Sequence, residues 1–318
     1  MNKHSIHKKP ELLDMVSVLD SIDANDAGGA AGSTSGESAL RDRSIGEIIQ
    51  ETKDLSARQI EQILELQRER NMKFGEAAVA LGFARDEDVV WALSQQFHYP
   101  YAPEAVEQLN SELVVASQPF GKTAESFRAL RSQLMMRLFS GRDPRRRALA
   151  VVSPDSGDGK TFFAANIAVA FSQLGGRTLL IDADMRNPRQ HQVFGIENNS
   201  GLSGILGGRS EANVIRPAVH LPSLFVLPVG VAPPNPLELV ERPAFQLLLR
   251  ELLSKFDHVV VDTPAAEHGA DASVLAAKCG AAVVIARQGR SSLNALNEFV
   301  HLLRESPVTL AGVVMNEF

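Results

Sequence analysis

Lys160 and Thr161 end the run Ser153-Pro154-Asp155-Ser156-Gly157-Asp158-Gly159-Lys160-Thr161. An apolar stretch, Ala148 to Val152, precedes it, and an apolar helical pattern, Phe162 to Phe171, follows. A strand, a glycine-containing loop and a helix starting at Gly-Lys-Thr make a cradle for phosphate. N–H groups at the helix start point at an anion, and the helix dipole adds partial positive charge there. Lys160 can reach the outer phosphates of a nucleotide, and the Thr161 hydroxyl can hold Mg²⁺. The loop departs from the general phosphate-loop pattern at one place: Pro154 stands where glycine is usual, six positions before Lys160.

Two further segments carry acids. In Thr178-Leu-Leu-Ile-Asp182-Ala-Asp184-Met-Arg186-Asn-Pro188 an apolar strand delivers two carboxylates and an arginine at its C-terminal end, where ligands of α/β sheets bind. Asp182 and Asp184 alternate along an extended chain, so both point to one side. One can accept a hydroxyl proton and the other can orient metal-bound water. The third segment, Phe256-Asp-His-Val-Val-Val-Asp262-Thr263-Pro264, reads as a Walker B strand with Asp262 in the Mg²⁺ shell. Taken singly, Asp182 or Asp262 can equally cap a following helix. Together and in order, the three segments point to a nucleotide site.

The elements that must hold these residues alternate strand and helix. Strands are expected at Ala148–Val152, Thr178–Ile181, Leu224–Leu227, His258–Val261, Ala282–Ala286 and Ala311–Met315, nearly continuous in apolar residues, as strands buried on both faces are. Helices are expected at Lys160–Leu174, closed by Gly175-Gly176, and at Ser292–Leu303. This is an α/β, doubly wound, mainly parallel sheet with a P-loop, over residues 146–318. A helix pattern from about Thr123 to Leu138, within residues 106–145, contains Glu125, Arg128 and Arg131. Glu125 and Arg128 share a face, either as a solvated ion pair or as a subunit contact.

Upstream, residues 40–105 hold a duplication. Ile45-Gly46-Glu47 recurs as Phe74-Gly75-Glu76, and Ile60, Ile63, Leu64 and Gln67 recur as Val89, Ala92, Leu93 and Gln96, every pair 29 positions apart. Each copy reads as a short helix, a turn and a second helix. Ser56 and Gln59 have capping-box spacing. Tyr99-Pro100-Tyr101 closes this small helical domain. Residues 1–39 have the Gly-, Ser- and Asp-rich composition of a disordered segment, with one short amphipathic stretch at Glu11 to Leu19.

Bulk composition sets bounds. Of 318 residues, 44% are hydrophobic and 22% charged, as in soluble globular proteins. Net charge of −6 and a pI near 5.8 argue against a dedicated nucleic-acid binder. The local basic cluster Arg142 to Arg147 reads as a solvated approach to the first strand, or as a contact for phosphate or an acidic partner. Cys279 is the only cysteine, which excludes an internal disulfide and a cysteine-cluster metal site and fits a reducing compartment. No apolar run has membrane-spanning length, and Met1 to Pro10 lacks the apolar core of a secretory signal. Membrane association is therefore expected only through a partner.

The motifs at 153–161, 181–188 and 261–264 resemble those of the bacterial tyrosine kinases, P-loop enzymes related to the MinD and ParA ATPases. So do Gly201 to Gly208, Leu227 to Leu239 and the Glu125/Arg128/Arg131 spacing, which resembles that family's oligomerisation helix. The duplicated segment is similar to MshEN-type repeats, and the whole chain resembles the EpsG-type chain-length determinant kinases of exopolysaccharide operons. The resemblance implies that ATP sits on Ser156, Gly157, Asp158, Gly159, Lys160, Thr161 and Phe162, with Asn316 at the adenine. It implies Mg²⁺ on Thr161, Asp182 and Asp262, Lys160 stabilising the transferred phosphoryl group, Asp182 deprotonating a tyrosine, and Asp184 assisting. It also implies a homo-oligomer in the cytoplasm, held at the inner membrane by a polysaccharide co-polymerase.

Two alternatives and one departure qualify that picture. A MinD/ParA-type ATPase switch shares the carboxylates, but the extra lysine five positions before the P-loop lysine is replaced by Asp155. The repeats can be read as a cyclic di-GMP module, but Ser44 and Lys73 stand where an arginine is expected two positions before each glycine. A structural or docking role is favoured. The sequence contains only Tyr99 and Tyr101 and ends at Phe318 after the last strand, so phosphorylation of a C-terminal tyrosine cluster is not expected. The acceptor is then Tyr99, Tyr101 or another protein.

Overall fold

The structure, a computed structural model, describes residues 44–85, 88–89, 91–92, 108–139, 147–209 and 212–317. Tyr99, Tyr101, Leu93, Gln96 and the segment 1–39 lie outside the described residues. Two compact units divide between Leu109 and Asn110.

The smaller unit contains α1 (Ile45–Lys53), α2 (Ala57–Arg70) and α3 (Phe74–Ala80). Its helix starts repeat with the period of the sequence. The Ser44 N–H donates to Glu47 (2.7 Å) and, 29 residues on, the Lys73 N–H donates to Glu76 (2.9 Å). The Ser56 N–H donates to Gln59 (2.9 Å), and the Arg85 N–H to Asp88 (2.8 Å). Each bond satisfies a donor otherwise left open at a helix start. Ile48, Ile49, Ile63, Ala77, Ala78 and Ala92 form the core. Gly75 permits the close packing: a Cβ there would lie 2.6 Å from Val89 Cγ1. Lys53 and Asp88 form an ion pair at 2.7 Å between the two copies.

The larger unit begins with α4 (Val114–Ser117) and α5 (Lys122–Leu134), which continues as a π-helical turn, Met135–Phe139. The helix expected to run to Leu138 thus changes hydrogen-bonding pattern at Met135. Then follow β1 (Ala148–Val152), α6 (Lys160–Ser172), β2 (Thr178–Asp182), α7 (Gln190–Val193), α8 (Leu202–Leu206), β3 (Arg216–Pro217) and β4 (Leu224–Leu227). The chain continues through α9 (Pro236–Glu241), α10 (Pro243–Lys255), β5 (His258–Asp262), a 3₁₀ turn (Ala266–His268), α11 (Asp271–Cys279), β6 (Gly280–Arg287), α12 (Leu293–Glu305) and β7 (Thr309–Asn316).

One seven-stranded sheet runs in the order β3-β4-β2-β5-β1-β6-β7. All pairings are parallel except β3 with β4. The expected strands are all present, and β2 and β5 extend one residue further to include their aspartates. β3 was not foreseen, because two residues carry no periodicity. Every residue of β1, β2 and β5 is buried, which explains their unbroken apolar runs. α6 is buried almost all round. One side meets the sheet; on the other, Phe127 of α5 packs against Phe162 and Phe163 with ring centroids 6.0 and 5.6 Å apart.

His258 opens β5 between aromatic rings, stacked on Phe171 at 4.8 Å and edge-on to Phe139 at 5.4 Å. Burial lowers its pKa, with Asp257 opposing, and its Nδ1 is buried without a hydrogen-bond partner. A depressed folded-state pKa means that stability is full above the unfolded value, about 6.5, and is lost as pH falls below it. His258→Phe keeps the ring stack and removes the proton site. Thermal melts from about pH 7.5 to about pH 5 should show a smaller loss for this variant than for the unsubstituted protein. Equal losses would contradict the burial of a neutral imidazole.

Candidate active site

The parallel register of β2 and β5 places Asp182 beside Asp262, and β1 on the other side of β5 places Val151 against Asp262. The loop following β1 therefore leaves the sheet next to both acids. Asp182 and Asp262 are each 0% exposed.

Gly157 (φ 81°) and Gly159 (φ 96°) turn that loop through left-handed backbone, which other residues adopt only under strain. Asp158 ties it down from inside: Oδ2 accepts the Asp155 N–H (3.2 Å), and Oδ1 accepts the Ser291 hydroxyl (2.6 Å). Its carbonyl accepts from Asn316 Nδ2 at 3.0 Å. Arg287 donates to the Gly157 carbonyl at 3.3 Å. At the rim, the Ser156 N–H donates to Glu267 Oε1 at 2.7 Å, and Ser156 Oγ lies 2.8 Å from His268 Nε2.

Lys160 opens α6, is 7% exposed, and donates to Ser153 Oγ at 2.9 Å. Burial pulls its pKa down; the charges of Asp262, Asp184, Asp158 and Glu267 oppose that shift. Asp182 Oδ1 accepts the Asp184 N–H (3.2 Å), and Oδ2 accepts the N–H groups of Arg189 (3.1 Å) and Gln190 (2.9 Å). It thus organises the start of α7 while standing beside Asp262. Burial, and then the Asp262 charge, raise the Asp182 pKa well above the usual carboxylate value.

Asp262 Oδ2 accepts from Gln190 Nε2 at 2.8 Å, while Oδ1 is buried without a hydrogen-bond partner. The Thr161 hydroxyl also stabilises the Asp262 charge. Burial raises the Asp262 pKa to about 6; Gln190 and Lys160 hold it down, and Asp184 pushes it up.

The loop, Lys160, Thr161, Asp182, Asp184 and Asp262 therefore converge. Asp184 does so from a turn, not from the strand: its Oδ1 accepts the N–H groups of Arg186 (3.2 Å) and Asn187 (2.9 Å). Arg186 is paired with Asp271 at 2.9 Å. Glu125, Arg128 and Arg131 lie on α5, outside this group. Arg128 pairs with Glu125 (2.8 Å) and donates to the Pro119 carbonyl (2.6 Å), and Arg131 donates to the Ala170 carbonyl (2.7 Å). Gln190, Glu267, His268, Arg287 and Ser291 were missed by sequence reasoning. No motif in the sequence marks them, because each reaches the site through contacts 72 to 133 residues apart.

Among the described residues, no three His, Cys, Asp or Glu side chains form a metal cage. The donors present fit Mg²⁺ nonetheless. This ion takes one or two carboxylates and completes its shell with water and substrate phosphates; Asp262 Oδ1 is buried without a hydrogen-bond partner, and the Thr161 hydroxyl interacts with the same carboxylate.

Residues 149–318 match the family model of the CobQ/CobB/MinD/ParA nucleotide-binding domain. CapB of Staphylococcus aureus is 34% identical over 207 residues, 65% of this chain and 90% of CapB. The chain belongs to the bacterial tyrosine kinase branch of this nucleotide-binding family. Tyrosine-protein kinase CpsD of Streptococcus agalactiae is 30% identical over 62% of this chain and 84% of its own length. The kinase domain of the Escherichia coli tyrosine kinase ETK superposes with a TM-score of 0.60 at 30% identity, covering 64% of this chain and 79% of that domain. In longer relatives the matched part is only 26 to 28% of the protein.

Gly159→Ala tests the loop geometry. Its Cβ would lie 2.2 Å from Asn316 Nδ2, on left-handed backbone. The expected cost is about 1–3 kcal/mol in denaturant melts, with weakened nucleotide binding. Unchanged stability would show that Asn316 does not sit against the loop.

Proposed function

We propose that this chain is an ATP- and Mg²⁺-dependent protein tyrosine kinase acting in exopolysaccharide polymerisation and export. The observation that carries the reading is the meeting of Lys160, Asp182 and Asp262 beside a glycine-turned loop at one end of the sheet. Membership of the tyrosine kinase branch supports it.

Backbone N–H groups from Gly157 to Thr161 receive the phosphates of ATP. Lys160 neutralises charge that develops on the transferred group, in a pocket dry enough to make that interaction strong. Asn316, already on the loop, stands toward the adenine. Asp182 takes the proton of the acceptor tyrosine, its raised pKa matching a group that must hold a proton for part of the cycle. Asp184 assists. Thr161 and Asp262 would hold Mg²⁺, which supplies further charge neutralisation at the phosphates.

No helix among the described residues is long and apolar enough to cross a membrane. Resemblance to capsule and exopolysaccharide kinases supports attachment at the inner membrane through a co-polymerase partner; self-association is attributed to α5 with Glu125, Arg128 and Arg131, and docking to the repeats. The Ser44 hydroxyl is engaged in capping α1, which disfavours its use in binding cyclic di-GMP.

Mass spectrometry after incubation with γ-labelled ATP, alone and with the proposed co-polymerase partner, tests the activity. Phosphotyrosine is expected in the unsubstituted protein or its partner, and Lys160→Met should reduce it about 100-fold or more. Released phosphate without phosphotyrosine would instead indicate an ATPase switch.

A further inference from the structure

Gln190 is 0% exposed, yet it is polar and no part of the sequence motifs. Its side-chain amide donates from Nε2 to two acceptors: Asp262 Oδ2 at 2.8 Å and the Thr161 carbonyl at 3.1 Å. Its backbone N–H donates to Asp182 Oδ2 at 2.9 Å. One residue therefore touches both buried carboxylates and the first turn of the phosphate-binding helix. The amide orientation is not arbitrary. Both groups facing Nε2 are pure acceptors, so the flipped amide would set oxygen against oxygen twice. Gln190 Oε1 is buried without a partner. The amide keeps its orientation despite that cost, so the pull of the two acceptors decides it.

We propose that Gln190 is a positioning residue for the metal-binding carboxylate. By engaging Asp262 Oδ2 it fixes the rotation of that carboxylate and leaves Oδ1 as the oxygen available to a divalent cation beside Thr161. By gripping the Thr161 carbonyl it sets the distance between the two ligands. This inference rests on the nucleotide and Mg²⁺ reading above. Hydrogen-bond partners of metal ligands typically tune metal affinity by 10- to 100-fold, and a buried amide does so without adding charge to a site already crowded with carboxylates. A carboxylate at position 190 would add to the repulsion that already raises Asp182.

Calorimetric titration of ADP into the full chain, once with Mg²⁺ and once with EDTA, separates metal-dependent from metal-free affinity. Gln190→Met preserves length and removes the donor. Gln190→Asn keeps an amide too short to span Asp262 and Thr161, and serves if the first variant does not fold. The unsubstituted protein should bind ADP more tightly with Mg²⁺. The variant should lose that gain by about tenfold or more while metal-free affinity stays within about twofold. A retained Mg²⁺ gain overturns the proposal. So does an equal loss of both affinities, or failure of both variants to fold, since either makes Gln190 a purely structural residue. If the unsubstituted protein binds no ADP at all, the nucleotide reading itself falls, and this inference with it.

Discussion

The pairing of β2 with β5 sets two carboxylates, Asp182 and Asp262, level on neighbouring strands inside the protein. Neighbouring strands lie about 4.8 Å apart, and two buried like charges at such spacing repel strongly. The fold tolerates this because groups around the pair compensate it. Three backbone N–H groups and one glutamine amide reach the carboxylates, and Lys160 supplies opposite charge. The apolar residues of the same strands anchor the pair in the main core: Leu179, Ile181, Val259 and Val261 all belong to it. A site that holds a cation and a polyphosphate needs such concentrated charge, and local rules of stability are most often broken where function requires it.

The phosphate-binding loop is shaped from beyond its own strand–helix unit. Ser291 and Arg287 reach it from the end of β6, and Asn316 from the end of β7. Glu267 and His268 reach it from the 3₁₀ turn after β5. The strand order brings β5 and β6 to either side of β1, so these distant segments arrive together. The left-handed turns at Gly157 and Gly159 let the backbone approach Arg290 and Asn316 closely, where a side chain would collide.

Much of this was legible in the sequence, for identifiable reasons. Strands buried on both faces write continuous apolar runs, so β1, β2, β4 and β5 could be placed within a residue at each end. The 29-residue duplication reappears as paired helix-capping bonds because capping is local chemistry. What escaped depends on tertiary pairing. Gln190 looks like any polar residue after a proline until β2 meets β5. Alternation along a strand was the wrong reason to place Asp184 near Asp182: the strand stops at Asp182, and a turn returns Asp184 to the site. Arg186, placed by the sequence at the ligand-binding end of β2, is engaged by Asp271, a partner 85 residues away.

The most direct test of the central claim is a crystal soaked with ADP and Mn²⁺, with the metal located by its anomalous signal. One metal peak is expected beside Thr161 and Asp262, with the phosphates lying on the Gly157–Thr161 backbone and Lys160 turned toward them. Metal bound away from the paired aspartates, or phosphates lying off the loop, would contradict the account.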